Sequence, residues 1–264
     1  MKQFKKFAIP YFVWLIILVV VPILVMTILT FMNSNGTDFA DATVSIESYK
    51  RLADVSLYKA LWNSLKVALF TVIICVLLGY PCAYFLSFSN IKNKMLVLLM
   101  LILPMWCNSM LRIISWYKLF QADGFAALKL AGSEGAVVFV TVTTYLPFMI
   151  FPIFSVLEKM DRSLIEASKD LGISAPKTFL KVTLPLSLTG VSSGVIMVFL
   201  PAATGFAISQ TIGQGKVQLI GNVIQSVFEK NNYNFGSLLS LIVSIVIIIC
   251  IVLFQKLQGK RGEN

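Results

Sequence analysis

One apolar stretch of the chain carries three residues whose side chains could bind a charged solute. Asn108, Arg112 and Trp116 are four residues apart, so a helix would place an amide, a guanidinium and an indole on one face. A charge inside a membrane span is costly, and by default it indicates a functional site. The alternative is that Arg112 snorkels to the membrane interface, where residues such as Trp106, Trp116 and Tyr117 commonly anchor a span. The sequence leaves both interpretations open.

If a chain of this kind carried a cation across a membrane, its path would need aromatic faces, amides and hydroxyls, because the apolar stretches have no Asp or Glu in their cores. The candidates are Trp106, Asn108, Tyr145 and Thr204, with Gln210 and Gln214 just after the apolar stretch 186–208. Thr141, Thr144, Tyr145 and Phe148 share a helical face, although such a stripe more often packs helices. A path without a deep acid would release a cation easily, while a partner chain is another source of carboxylates.

Catalysis by this chain is not expected. The sequence has no histidine, which removes the commonest general base and metal ligand. Its four cysteines lie singly in apolar runs, so neither a metal site nor a disulfide framework is predicted. A phosphate-binding loop is also absent from the sequence, so we expect no cofactor here, and any ATP and Mg²⁺ would be held by a partner chain.

A polar segment between two apolar stretches predicts a helix that lies outside the membrane. Residues 166–185 read EASKDLGISAPKTFLKVTLP. Ser163 and Glu166 have the spacing of a capping box, in which each side chain binds a free backbone N–H at a helix start. Gly172 can adopt the left-handed conformation that ends such a helix.

The same segment predicts a second helix after a turn. Ser174 is placed to cap it, Pro176 would occupy the first turn, and Pro185 would mark re-entry into the membrane. A merely solvated helical hairpin would show the same capping pattern, so these signals alone do not assign a function.

Composition predicts an all-α membrane protein with one transmembrane domain over residues 1–264. Hydrophobic residues make up 58% of the chain and charged residues 13%, with a mean hydropathy of +0.85. A helix needs about 20 apolar residues to cross the hydrocarbon core. Six such spans are predicted at about 9–31, 61–88, 95–119, 136–157, 186–208 and 235–254, with a polar loop over 158–185.

The placement of Lys and Arg predicts that both termini are cytoplasmic. That orientation places more basic than acidic residues on the cytoplasmic side. The basic ones are Lys2, Lys5, Lys6, Lys92, Lys94, Lys159, Arg162, Lys169, Lys177, Lys181, Lys256, Lys260 and Arg261, and the acidic ones are Glu158, Asp161, Glu166, Asp170 and Glu263. The opposite side mixes basic and acidic residues evenly. The net charge of +10 is therefore attributed to topology and contact with anionic membrane lipids, and no nucleic acid is expected as a partner.

Small residues and a proline interrupt the fifth predicted span. Gly190 and Gly194 have the spacing that lets two helix backbones approach closely, which predicts helix packing, with the interface to a second membrane chain as one place for it. Pro201 and Gly205 predict a kink, which a static bend explains more often than a gate does.

The polar segment resembles the EAA loop of permeases from bacterial ABC importers. The matching positions are Glu166, Ala167, Ser168, Gly172, Val182, Leu184 and Pro185, and every spacing is kept. Only Ser168 departs from the pattern, which has a second alanine there. In that family the loop forms a coupling helix that seats on an ATPase. The resemblance therefore implies ATPase coupling for these residues and a six-span type I ABC importer permease fold.

Longer stretches resemble the spermidine/putrescine permeases within that family. They are Leu78–Leu86, Leu103–Ile113, Leu146–Gly172 and Leu200–Ile224. This resemblance implies a polyamine substrate, a PotC-like second permease, a PotA-like ATPase dimer and an external PotD-like polyamine-binding protein, all serving a bacterial plasma membrane.

Two alternatives stay open at this point. Related permeases carry inorganic anions such as sulfate, and Arg112 would suit an anion better if it faced the path. An ion-coupled secondary transporter would be expected to show inverted repeats or intramembrane acids, and neither is evident in the sequence.

Overall fold

The computed structural model describes residues 2–32, 43–122 and 130–262. Its α-helices are α1 (Lys2–Thr30), α2 (Glu47–Lys50), α3 (Val55–Phe88), α4 (Lys94–Ile102), α5 (Ser109–Gln121), α6 (Glu134–Glu158), α7 (Ser163–Asp170), α8 (Ala175–Thr178), α9 (Leu184–Thr204), α10 (Ala207–Gly213), α11 (Ile220–Glu229) and α12 (Tyr233–Gly262). Short 3₁₀ turns cover Arg51–Ala53 and Leu103–Trp106, and a π-helical turn covers Phe179–Thr183. These ranges contain no β-strand, and an isolated bridge joins Met32 to Val44. The all-α prediction is confirmed.

Five helical segments of the described chain are long and apolar enough to cross a membrane. They are Val13–Thr30, Val55–Phe88, Glu134–Glu158, Ala175–Thr204 and Tyr233–Lys256. A sixth span is present only if α4 and α5 are taken together, because they are bent by 83° relative to each other. The structure thus differs from a continuous third span over residues 95–119.

The break between α4 and α5, which we call the elbow (Leu103–Asn108), has local causes. Pro104 has no N–H to donate to the turn before it, which weakens the end of α4. Cys107 has extended backbone angles, φ −72° and ψ 152°. The side-chain oxygen of Asn108 then accepts the N–H groups of Met110 and Leu111, at 2.9 and 3.3 Å, and so caps α5 as a new helix.

The chain divides into two compact units, and the smaller comprises Met1–Lys59 with Val223–Ile248. Its core is built by Leu57, Phe235, Leu238 and Leu239. The Asn234 amide donates to the Leu29 carbonyl at 3.0 Å, which ties the start of α12 to the end of α1. Most side chains of α1 from Tyr11 onward are exposed within this chain.

The larger unit comprises Ala60–Asn222 with Ile249–Asn264, and α6 is its most buried span. Gly190 and Gly194 let α9 lie directly on α6. A Cβ on Gly190 would lie 2.8 Å from the Pro152 carbonyl oxygen, and one on Gly194 would lie 2.6 Å from the Met149 sulfur. The predicted small-residue packing is confirmed, and it occurs within this chain.

The C-terminal end of α9 is held by backbone contacts. The Gly205 N–H donates to the Pro201 carbonyl at 2.9 Å, and α9 ends at Thr204, short of the predicted end of the span at 208. A Cβ on Gly221 would overlap the Thr204 carbonyl oxygen, so α11 begins in direct contact with this end. The close packing of α11 against this end favours the static bend over a gate.

Candidate functional site

The first arm of the polar segment is α7, whose N-terminus is capped by an acid that the sequence analysis did not single out. The Asp161 carboxylate accepts the Ser163 N–H at 2.9 Å, and this bond lowers the pKa of Asp161 below its usual value. The predicted capping box is wrong, because Arg162 already has helical angles and makes no side-chain cap bond. Ser163 therefore lies inside the first turn, where Glu166 still complements the helix dipole.

The C-terminus of α7 closes as predicted. Gly172 has φ +73°. Its N–H donates to the Lys169 carbonyl at 2.8 Å, and the Ile173 N–H donates to the Ser168 carbonyl at 3.1 Å. These two bonds form a Schellman motif, which satisfies carbonyls that the helix leaves free and requires a left-handed residue at this position. The turn geometry thus depends on a residue that tolerates this conformation, as glycine does.

The second arm consists of α8 and the π-helical turn. Pro176 lies in the first turn of α8 as predicted, but the Ser174 side chain makes no capping bond. The helical run continues from Ala175 through Thr204, so Pro185 begins no new segment. Instead, the Leu184 N–H donates to the Phe179 carbonyl across a widened turn, which accommodates a proline that lacks an N–H and would crowd the Lys181 carbonyl.

A pair of buried hydroxyls joins the two arms. The oxygens of Ser168 and Thr178 are 2.8 Å apart, and both side chains are almost fully buried. This bond fixes α7 against α8. Ser168 is the one position that departs from the EAA pattern, and its hydroxyl has a specific partner in this chain. Asp161 through Thr183 are called the α7–α8 hairpin below.

The exposed surface of α7 is partly apolar. Leu164 and Leu171 are 46% and 79% exposed, and with the exposed Ala167 they have the spacing of one helical stripe. Glu166 is also exposed on this helix, while Ser168 faces inward. A stripe of leucines on a short helix outside the spans is a typical surface for docking another protein.

The elbow and the first turn of α5 contain three of the predicted path residues, and two of them bond to nearby backbone groups. The Asn108 oxygen caps α5, as described above. The Arg112 guanidinium donates from Nη1 to the Pro104 carbonyl at 2.6 Å, which also accepts the Cys107 N–H at 3.3 Å. Trp106 is different, because its ring is 84% exposed. Arg112 therefore acts as a clamp across the elbow, which neither interpretation from sequence included.

The remaining path candidates lie partly together. The Tyr145 hydroxyl would be 3.8 Å from a Cβ on Gly205, which places this ring beside the end of α9 and next to Thr204. The Thr204 hydroxyl is exposed but bonds to the Leu200 carbonyl of its own helix. The hydroxyls of Thr141 and Thr144 are buried and bond to carbonyls of α6, as helix-packing residues do. The face that Tyr145 shares with them is therefore mainly a packing face.

Several contacts that hold this region were missed by the sequence analysis. The Asn222 amide accepts the Ser209 hydroxyl at 2.6 Å and donates to the Phe206 carbonyl at 3.2 Å, which fixes α10. Gln214 has a left-handed backbone, and its amide donates to the Tyr117 hydroxyl at 3.1 Å. No local pattern indicated these bonds, since their partners are distant in the chain or belong to the backbone.

The chain is similar to known transport proteins over nearly its whole length. A family model described as "Binding-protein-dependent transport system inner membrane component" matches residues 4–261. The spermidine/putrescine transport system permease protein PotB of Haemophilus influenzae is 33% identical, and the alignment covers 99% of this chain and 98% of that protein. PotB of Escherichia coli K12 is 32% identical, with 95% and 97% covered.

Solved structures of ABC importers share the fold. A chain of the bacterial ABC transporter that imports the acidic polysaccharide alginate superposes with a TM-score of 0.67 at 16% identity, covering 97% of this chain and 98% of that one. A chain of the MetNI methionine ABC transporter gives 0.56 at 14% identity, covering 78% and 94%. The fold is that of a type I ABC importer permease, and the chain belongs to the family of binding-protein-dependent transport system inner membrane components, which are multi-pass, non-enzymatic subunits.

Proposed function

We propose that this chain is a permease subunit of an ATP-driven importer for polyamines such as spermidine and putrescine. The relatives named PotB, which carry that transport system in their names, align with almost the whole chain at 32–33% identity. Alternating access between the two sides of the membrane would move the cargo inward. Family membership favours this class over an ion-coupled secondary transporter.

The observation that carries the coupling role is the exposed stripe on α7. Leu164, Ala167 and Leu171 present apolar surface on a helix outside the spans. Large apolar side chains such as leucine are usually buried away from water. The Schellman turn at Gly172 and the Ser168–Thr178 bond hold this stripe in one orientation. A rigid apolar helix of this kind suits a groove on an ATPase. Glu166, Ala167, Ser168, Gly172, Leu184 and Pro185 are the proposed coupling residues.

The orientation that this role requires is supported by charge. Basic residues near the span ends are concentrated on the side of the α7–α8 hairpin, as expected for the cytoplasm. Both termini would be cytoplasmic, and the hairpin would have access to ATP. ATP and Mg²⁺ would be bound by a PotA-like ATPase dimer, with a PotC-like second permease and a PotD-like binding protein completing the complex.

The side chains at the elbow help to indicate which kind of solute is transported. The Arg112 guanidinium donates to the Pro104 carbonyl, so its position across the elbow is fixed, although a neutral carbonyl does not cancel its charge and Nε has no partner among the described residues. The exposed Trp106 ring offers a face for an ammonium group without a deep charge trap. We propose that Trp106, Tyr145 and Thr204 contact polyamine during passage, while Asn108 and Arg112 shape the path.

The function can be tested with the full complex in proteoliposomes. Uptake of labelled spermidine or putrescine should require ATP, the second permease and the loaded binding protein. Sulfate, offered with its own concentration series, should not be taken up. Sulfate uptake without polyamine uptake would overturn the cargo assignment and leave the permease class intact.

Orientation can be tested by cysteine labelling in a background that lacks the four native cysteines. The exposed position Ser174 on the α7–α8 hairpin should react with an impermeant maleimide only after the membrane is opened. The exposed position Val44, between α1 and α2, should react in intact cells. The opposite labelling pattern would overturn the orientation and the coupling role.

A further inference from the structure

The C-terminal end of α3, from Tyr80 to Phe88, contacts both arms of the α7–α8 hairpin. This segment is distant in sequence, since the hairpin follows α6 and leads into α9. The chain itself therefore links the hairpin only to α6 and α9. The contacts to α3 add a third attachment.

The first arm is attached through Arg162. Its Nη2 donates to the Ser87 carbonyl at 2.8 Å, and its guanidinium carbon lies 5.2 Å from the centre of the Phe88 ring. Carbonyls in the last turn of a helix have no partner within it and carry a partial negative charge, which attracts cations. Lys94 also donates to the Ser87 carbonyl and lies 3.6 Å from the Glu158 carboxylate. Two basic residues thus bind the end of α3.

The second arm is attached through Phe179, in the π-helical turn. Its ring meets Tyr80 and Tyr84 edge to face, with centroids 5.8 and 5.5 Å apart. Tyr84 in turn lies 4.7 Å from Phe88, so the rings run without a gap from Phe179 to the ring beneath Arg162. The Tyr80 and Ser187 hydroxyls are 2.8 Å apart in a buried position, which adds a bond between α3 and the start of α9.

These contacts restrict how the hairpin can move. Close-packed rings and a bonded guanidinium form a rigid contact, so a displacement of the hairpin by several ångströms either carries the end of α3 with it or breaks these contacts. The widened π-helical turn is by itself a weak mechanical link to α9. The ring contacts of Phe179 bridge that weak point.

We propose that α3 is the span that moves as one body with the hairpin, clamped to it by the positioning residues Arg162 and Phe179. The proposal rests on the coupling role put forward above. Changes at the ATPase then reach the membrane through α3 as well as through α6 and α9, and signals from a loaded binding protein return along the same route.

The first test measures a distance in the complete importer, with spin labels at the exposed positions Phe85 on α3 and Lys169 on α7. The separation should stay within about 2 Å between the nucleotide-free and ATP-bound states. In the double variant Arg162→Gln/Phe179→Leu the distribution should broaden. A wild-type change of more than about 5 Å would overturn the proposal. This measurement needs no polyamine, so it remains decisive even if the cargo assignment fails.

The second test measures ATP hydrolysis by the same complex. The double variant should keep its basal rate within about twofold and lose about fivefold or more of the stimulation by a loaded binding protein. Phe179→Tyr, which keeps the ring, should retain most of the stimulation. Lys92→Gln, between α3 and α4, and Phe151→Leu, in α6, are controls at exposed positions. Normal stimulation in the double variant would overturn the clamp, whereas a wild-type complex that ignores polyamine would instead overturn the cargo.

Discussion

In the α7–α8 hairpin and at the elbow, several polar side chains are hydrogen-bonded within the chain, but the two regions expose different surfaces. Several polar groups in both regions bond nearby: Ser168 to Thr178 in the hairpin, Asn108 to the first N–H groups of α5, and Arg112 to the Pro104 carbonyl. The hairpin then exposes a leucine stripe outside the spans, while the elbow exposes the single ring of Trp106. A polar residue near a helix break is therefore explained first by the backbone groups that the break sets free, and the exposed apolar residues indicate where partners bind.

The largest effect is expected from Gly172→Val. A β-branched residue at φ +73° costs about 1–3 kcal/mol, and here the cost is purely conformational, because no described atom outside the chain neighbours lies within 4 Å of the added Cβ. ATPase association and transport should fall about tenfold or more, while membrane insertion is kept. Co-purification and uptake assays measure both.

Gly172→Asn is the matched control for this position, since asparagine tolerates the left-handed region and should keep most of the activity. Unchanged transport and assembly in Gly172→Val would show that the turn does not orient a docking helix, and the contrast between hairpin and elbow would lose its basis.

The next largest effect is expected from Arg112→Leu. Removing the guanidinium leaves the Pro104 carbonyl without this bond, at a cost of about 1–3 kcal/mol. Thermal unfolding of the purified permease pair should shift to lower temperature, and Arg112→Lys should be intermediate. Normal stability combined with loss of anion uptake would instead make Arg112 an anion-binding residue.

A smaller effect is expected from Trp106→Ala. If the ring holds an ammonium group, uptake should fall a few-fold to about thirtyfold, which corresponds to about 0.5–2 kcal/mol of cation–π contact. Assembly should not change. Trp62→Ala, at another exposed indole, is the control. Equal uptake by wild type and Trp106→Ala would assign the ring to membrane anchoring.

The smallest effect is expected from Ser168→Ala, which restores the alanine of the EAA pattern. The Thr178 hydroxyl would then be buried without this partner, at a cost of about 1 kcal/mol or somewhat more. Transport-linked ATP hydrolysis should fall about threefold. Ser168→Ala/Thr178→Val removes both hydroxyls and should recover. A double variant no better than the single one would show that the hydroxyl pair does not position the hairpin.

Prediction from sequence succeeded where the signal was local. The left-handed turn at Gly172 and the close packing at Gly190 and Gly194 follow from backbone rules that act within a few residues. It failed at the start of α7, where Asp161 caps the helix, since a shift of one residue in the helix boundary changes which side chain can reach the free N–H. The capping of α5 by Asn108 was also missed, because the broken span was expected to be continuous.

The sequence alone determined that this chain is a helical membrane protein with a polar hairpin between two spans, because hydropathy and turn residues act over short segments. The resemblance of that hairpin to the EAA loop implied a permease. Only the tertiary structure decided which polar groups are already bonded and which spans hold the hairpin. Arg162 reaches Ser87, and Phe179 reaches Tyr80 and Tyr84, across large separations in sequence. Such contacts depend on how whole helices pack, and no local pattern specifies that packing.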